Sequence, residues 1–248
     1  MKNIGKLAVL GAVLAASASF AFGDTITLGS FGAAGLSAYH PTVTASNSEM
    51  QYVGNDLVTT VAAIPVTPAI TPISAVNATD LDPSGVWASR LTNSSWVGIN
   101  ANAGPASTSN PQFGYYEFTT TFTAAGGLYS GNLDVMADDT MEVLLNNVLI
   151  PGLSFGALGT DLHCADGMPS CLVQDNVGLN VSLLSGTNTL TFIVKQAGTG
   201  PTGGTGDPSG FDVNGSLSSV PEPSSLMLLG TGLVSAAGML LRRRRVTA

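Results

Sequence analysis

Asp138 and Asp139 stand side by side between two apolar runs, Leu133–Met136 and Met141–Leu145. Adjacent carboxylates at a strand end begin a calcium site, because calcium collects about six to eight oxygens from carboxylates, carbonyls and water. Asp134 and Glu142 flank the pair, although alternation along a strand can turn them to the other face. Asp138-Asp139 also reads as a solvated acidic turn between those two runs. Asp80-Leu81-Asp82-Pro83-Ser84-Gly85 opens like a calcium loop, with oxygens at alternate positions and a glycine for the bend. It fails as an EF-hand, since Leu91 occupies the place of the bidentate glutamate and Pro83 distorts the spacing. What it leaves is an irregular turn that calcium would stabilise.

Cys164 and Cys171 form the second constellation, in Cys-Ala-Asp-Gly-Met-Pro-Ser-Cys. In an oxidising compartment a close, even pair reads as a disulfide. With His163 the two thiols would also start a metal site, for which His40 is the other histidine in the chain. Trp87, Trp96, Tyr115 and Tyr116 form either a sugar-stacking platform or core packing. Thr119-Thr120-Thr121 fits the outward positions of a strand rather than a repeated array. No nucleophile elbow or zinc-protease helix occurs. The acid content does allow a glycosidase-like pair of carboxylates.

The charge on the chain is unevenly placed. Of eight basic residues, Lys2, Lys6 and Arg242–Arg245 lie near the ends, leaving Arg90 and Lys195 between Asp24 and Ser219. Fifteen of the sixteen acids lie in that interval, so it carries a formal charge of −13. Nucleic-acid binding needs a basic surface that this interval lacks. Cations and neutral sugars are the partners that remain.

The two ends read as targeting segments. Lys2 and Lys6 precede the uncharged stretch Leu7–Phe22, and Ala21-Phe22-Gly23 offers small residues for signal peptidase. Residues 1–23 are therefore expected to be a signal peptide, engaging the secretion translocon and cleaved before Asp24. Ala16-Ser17-Ala18 is a second cleavage candidate. At the other end, residues 220–248 hold Val220-Pro221-Glu222-Pro223, an uncharged segment 226–241, and Arg242, Arg243, Arg244 and Arg245. Sixteen helical residues reach about 24 Å, and tilting, local thinning and snorkelling let such a helix cross a core of about 30 Å. The arginines would stay cytoplasmic, holding the protein in the inner membrane only in transit.

Between these ends, residues 24–219 are dense in Thr, Ser, Gly, Asn and Val, and no amphipathic helical stripe appears. Strands are expected at Thr25–Leu28, Tyr115–Phe122, Gly131–Met136, Met141–Leu145, Val148–Ile150, Val177–Leu183, Thr189–Lys195 and Phe211–Leu217. Asn146-Asn147 suits a two-residue hairpin, since Asn tolerates positive φ. Gly186-Thr187-Asn188 punctuates the chain before the alternating Leu190, Phe192 and Val194. Ala62–Pro83, with Pro65, Pro68, Pro72 and Pro83, should run as extended loop or edge structure. The glycine-rich 198–210 reads as a surface loop. Many short strands with turn signals predict an all-β fold, a jelly-roll-like antiparallel β-sandwich.

Two resemblances add to this reading. The tail from Val220-Pro221-Glu222-Pro223 through the apolar segment to Arg245 resembles the PEP-CTERM sorting signal of Gram-negative bacteria. The same tail is also described as an ice-binding-protein C-terminal region, which is a label for the tail. The resemblance implies recognition by an exosortase, a membrane-embedded transpeptidase, and delivery to the outer surface or extracellular matrix. Gly114–Phe122, Ala137-Asp138-Asp139, Val143-Leu144-Leu145-Asn146 and Gly186–Phe192 are similar to galactose-binding-like jelly rolls, and the aspartates to PA14-type lectin domains. In those domains paired aspartates hold calcium against a sugar. The glycine often found after them is Thr140 here. Together these readings imply an exported structural or adhesive protein, with calcium-dependent polysaccharide binding as its candidate activity. The alternative class is a secreted polysaccharide-active enzyme.

Overall fold

The computed structural model describes residues 24–30, 45–83, 87–105, 111–157, 164, 167–198, 207–220, 230–232 and 234–235. Asp24–Ser219 forms one compact unit. Among its described residues are nine strands: β1 (Thr25–Gly29), β2 (Ala45–Val58), β3 (Thr71–Leu81), β4 (Trp96–Gly98), β5 (Phe113–Asp138), β6 (Thr140–Leu145), β7 (Val148–Leu149), β8 (Asp175–Gln196) and β9 (Gly210–Ser219). A single turn of 3₁₀ helix lies at Val61–Ala63.

All pairings are antiparallel, as short strands joined by turns require. The strand order is β1-β9-β4-β3-β2-β5-β8-β6-β7, with β9 also paired to β5. One edge of β5 therefore carries β2 along its first half and β9 along its second. Its other edge carries β8 throughout. The extra β9–β5 pairing turns the sheet back on itself, and the aromatic contacts show where its layers meet. Phe118 of β5 and Phe192 of β8 are register partners, and both rings pack on Phe211 of β9, at 5.1 and 5.0 Å. This is the jelly-roll-like all-β sandwich expected from the sequence.

Alternation explains which face is buried. In β5 the even residues Tyr116, Phe118, Phe122 and Ala124 point inward, then the odd residues Tyr129, Leu133, Val135 and Ala137 do. The phase changes at Gly126-Gly127, whose φ values of 84° and 107° favour glycine. β8 changes phase opposite, between Leu183 and Gly186. The register is otherwise unbroken from Gly114↔Gln196 to Val135↔Asp175. The separate strands expected at 115–122 and 131–136, and at 177–183 and 189–195, are thus two long strands of one ribbon. Glycine bends the ribbon without ending its ladder.

Two further elements depart from expectation: β2 is long but polar, and β4 is only three residues, so neither shows an alternating run. Within 62–83, expected as extended loop or edge structure, Thr71–Leu81 forms β3, with Pro72 opposite Gly54 and β4 pairing only with Thr79–Leu81 on the other side. The Asn146-Asn147 turn is as expected, with φ values of 51° and 65° joining β6 to β7. A second apolar cluster, built from Leu81, Trp87, Leu91, Trp96, Ala103, Met136 and the two cysteines, sits beside the main core. Asp24 and Ser219, at the two limits of the unit, hydrogen-bond through both backbone and side chain.

Of the terminal segments, Val220 is described and 39 % exposed, and 230–232 and 234–235 are helical. Among the described residues no helix is long and apolar enough to cross a membrane. The expected signal peptide at 1–23, Pro221, Glu222 and Pro223, most of 226–241, and Arg242–Arg245 lie outside the described residues.

Candidate functional site

Asp138 and Asp139 join the end of β5 to the start of β6, and they are buried, at 0 and 2 % exposure. The solvated acidic turn is therefore corrected: both carboxylates are enclosed by the layers they connect. Trp87 donates its indole N–H to Asp138. Asp139 accepts from the backbone N–H groups of Ala197 and Gly198, at 2.6 and 3.2 Å. Burial pushes the Asp139 carboxyl up to about 7; the Ala197 N–H opposes this and nearby Asp207 adds to it. Asp207 in turn accepts from the Gln196 side-chain amide at 2.8 Å. Among the described residues no group of three or more His, Cys, Asp or Glu is arranged to hold a metal ion.

The other acidic candidates separate as well. Asp80 is fully buried and accepts from Asn47 at 2.9 Å, whereas Asp82 is exposed. Ser84 and Gly85 lie outside the described residues. Asp134 is on β5, where Asn132, Gln174 and Asn176 donate to it. Asp212, which the sequence did not single out, is fully buried and accepts from Ser30 Oγ and the Leu91 N–H, at 3.2 and 2.8 Å. Burial raises it to about 6, with hydrogen bonds from Ser94, Leu91 and Ser30 and the charge of Arg90 pulling down.

The aromatic platform resolves as core packing. Trp87 and Trp96 stack at 4.3 Å inside the second cluster, and Tyr115 and Tyr116 are at most 1 % exposed. Cys164 and Cys171 are joined as a disulfide, with Cα atoms 5.4 Å apart. This segment docks through the Cys171 carbonyl, which accepts from the Ala88 N–H at 2.9 Å. His40 and His163 lie outside the described residues.

An open groove of about 270 Å³ lies where β2, the turn after β4 and the start of β5 meet. Tyr52, Leu57, Ile99 and Tyr116 form its apolar lining, and Asn100, Asn102, Pro111 and Gln112 complete it. Tyr116 makes the floor, its hydroxyl donating to the Gln112 carbonyl at 2.6 Å. Tyr52 packs on Tyr116 and Phe118 at 6.0 and 5.4 Å and accepts from Asn55 at 2.6 Å, which fixes a half-buried ring. The Asn100 side-chain oxygen accepts from the Asn102 N–H at 2.8 Å, closing the turn that carries both amides. Burial raises both phenols, so they stay neutral. The lining contains no charged residue. Amides offer paired donors and acceptors, and a fixed ring offers a flat apolar face. Such a surface suits a neutral, polyhydroxylated ligand. Sequence reading missed it because its residues come from three separate segments; Tyr116 was noticed, Tyr52 was not.

Residues 219–245 match a sequence family described as the PEP-CTERM protein-sorting motif. The chain thus carries a PEP-CTERM sorting motif, which marks it for export and exosortase-mediated sorting to the cell surface. No curated protein matches the chain. Solved structures similar to it include a family 35 carbohydrate binding module from Clostridium thermocellum, 10% identical, with 70% of this chain and 95% of that one covered and a TM-score of 0.31. Another is the family 35 module from Paenibacillus barcinonensis, 11% identical, covering 70% and 97% with a TM-score of 0.28. The Podospora anserina mannanase that carries such a module is 18% identical, with 73% of this chain covered and a TM-score of 0.30; the chain spans 28% of that enzyme's length.

Proposed function

We propose that the unit from Asp24 to Ser219 is a non-catalytic domain that, once exported, binds neutral polysaccharide at the cell surface or in the surrounding matrix. The observation that carries this reading is the groove at Tyr52, which sets a fixed aromatic ring beside three side-chain amides with no charge among them. Anionic polymers would meet a body of formal charge −13 that contains only Arg90 and Lys195 as cations, so they are disfavoured. Neutral chains meet no such penalty. Calcium at Asp138 and Asp139 plays no part in this binding, because the groove itself holds no carboxylate.

Affinity electrophoresis in gels containing neutral or acidic polysaccharides tests the reading. The protein should be retarded by at least one neutral polymer, with or without a chelator, and by no acidic one. Retardation confined to acidic polymers, or release of reducing ends from a neutral polymer, would contradict it.

A further inference from the structure

We propose that the bend of the β5–β8 ribbon is the surface on which this domain meets the lipid bilayer while its tail is held there, so that the groove at Tyr52 faces away from the membrane. This orientation rests on reading segment 226–241 as a membrane-crossing helix and the groove as the polysaccharide site. Three exposed apolar side chains gather at the bend: Leu128 is 48 % exposed, Leu184 58 % and Val148 69 %. Leu128 stands opposite Ser182 in the register, which makes Leu184 its diagonal neighbour. Val148 follows the Asn146-Asn147 turn, and that turn is tied to the bend. Asn146 donates to the Asn188 side chain and accepts from the Thr189 N–H, both at 2.9 Å.

The bend is held rather than slack. Asn188 is fully buried; it accepts from the Leu184 N–H at 2.9 Å and donates to the Leu184 and Gly186 carbonyls at 3.0 and 3.1 Å. An amide with these partners fixes the backbone that presents Leu184 to solvent.

The point where the tail leaves selects the occupant. Ser219, the last residue of β9, is the register partner of Tyr129, so the chain departs beside Leu128. Six residues, Val220 to Ser225, then lead to the uncharged segment 226–241, and fully extended they reach at most about 21 Å. A tail inserted in a bilayer therefore keeps this part of the ribbon within that distance of the lipid. Charge points the same way. A domain of formal charge −13 is repelled by an anionic lipid surface wherever it presents its acids. No charged residue occurs in β5 from Phe118 to Leu133, in β8 from Asn176 to Val194, or from Val143 to Ala157. Asp24, bonded to Ser219, adds one acid beside the exit. The bend thus joins apolar side chains, a neutral surround and a tether, which together suit contact with a membrane interface. The groove lies far along the ribbon. Tyr116, its floor, is ten residues from Gly126 on β5, roughly 34 Å at about 3.4 Å per residue.

The test adds the full-length chain to preformed phosphatidylcholine vesicles, with and without phosphatidylglycerol. An environment-sensitive dye on Thr187→Cys, beside the bend, should shift to the blue and be quenched by lipid-borne spin labels. The same dye on Ala101→Cys, in the turn by the groove, should do neither. Leu128→Asp combined with Leu184→Asp should lower the quenching at position 187 by about half or more, with the far-ultraviolet dichroism unchanged. Equal quenching at the two positions, or quenching untouched by the aspartates, would overturn the proposal. So would a lack of quenching at both, which would assign the bend to a protein partner, since these vesicles hold no exosortase. Affinity for a neutral polysaccharide separates the two readings. It should be the same in vesicles as in non-ionic detergent; loss in vesicles alone contradicts the orientation, and no affinity in either contradicts the groove.

Discussion

The groove at Tyr52 and the corner at Asp138–Asp139 gather polar groups in the same domain and use them in opposite ways. At the corner, carboxylates are enclosed and their oxygens take up the Trp87 indole and the Ala197 and Gly198 N–H groups. In the groove, neutral amides and a half-buried phenol are left at an open surface. Charge is the more conspicuous feature in a sequence, yet here it builds the junction between layers. A buried carboxylate costs more than a hydrogen-bonded amide and must be met by several donors. Those donors occupy oxygens that a ligand would otherwise use.

The contrast can be broken from either side, and the largest effect should come from the corner. Trp87→Ala removes an indole stacked on Trp96 and the donor to Asp138, so it should lower unfolding free energy by about 4 kcal/mol in denaturant titrations. Polysaccharide binding, measured well below the melting temperature, should persist. A loss of binding with little loss of stability would mean that the corner, not the groove, is the site.

Acidity gives the next effect. The Asp139 carboxyl sits at about 7 in the folded chain and near its ordinary value when unfolded, so the native state holds that proton more tightly. Its contribution to stability is full below about pH 4 and is lost as pH rises through about 7. Asp212, at about 6, acts in the same direction. Thermal unfolding should therefore show a chain more stable near pH 5 than near pH 8, by about 3 kcal/mol. Asp139→Asn should flatten that slope. A stability that climbs from pH 5 to pH 8 would contradict the burial argument.

Reduction comes third. The Cys164–Cys171 loop is short, and opening it should cost about 2.5 kcal/mol on the chain-entropy account. Both cysteines pack in the cluster of Trp87 and Trp96, so tryptophan fluorescence should report the loss while the groove, built from other residues, keeps its affinity.

How far these regions were legible follows from their physics. The ribbon strands were readable where apolar residues alternate, as in Tyr116, Phe118 and Phe122 or Leu190, Phe192 and Val194. The Asn146-Asn147 turn was readable because few residues accept positive φ twice in succession. β2 was not, since Ala45–Val58 owes its conformation to the strands on either side rather than to its own pattern. The disulfide followed from compartment and spacing, and the sorting motif from a contiguous string. The groove is the opposite case. Tyr52, Ile99, Asn100, Gln112 and Tyr116 meet only after β2, β4 and β5 are in place. The tyrosine-rich Tyr115-Tyr116 and the amide-rich Asn100-Ala101-Asn102 were the signals available, and neither is specific without the fold.

The most direct measurement sets one variant from each region against the same neutral polysaccharide by isothermal titration calorimetry in the presence of a chelator. Tyr52→Ala should weaken binding by about tenfold or more, as loss of a stacking ring does, with stability changed by about 1 kcal/mol or less. Asp139→Asn should bind as the unmodified chain does. The account is contradicted if Tyr52→Ala binds normally while Asp139→Asn, or the chelator alone, abolishes binding.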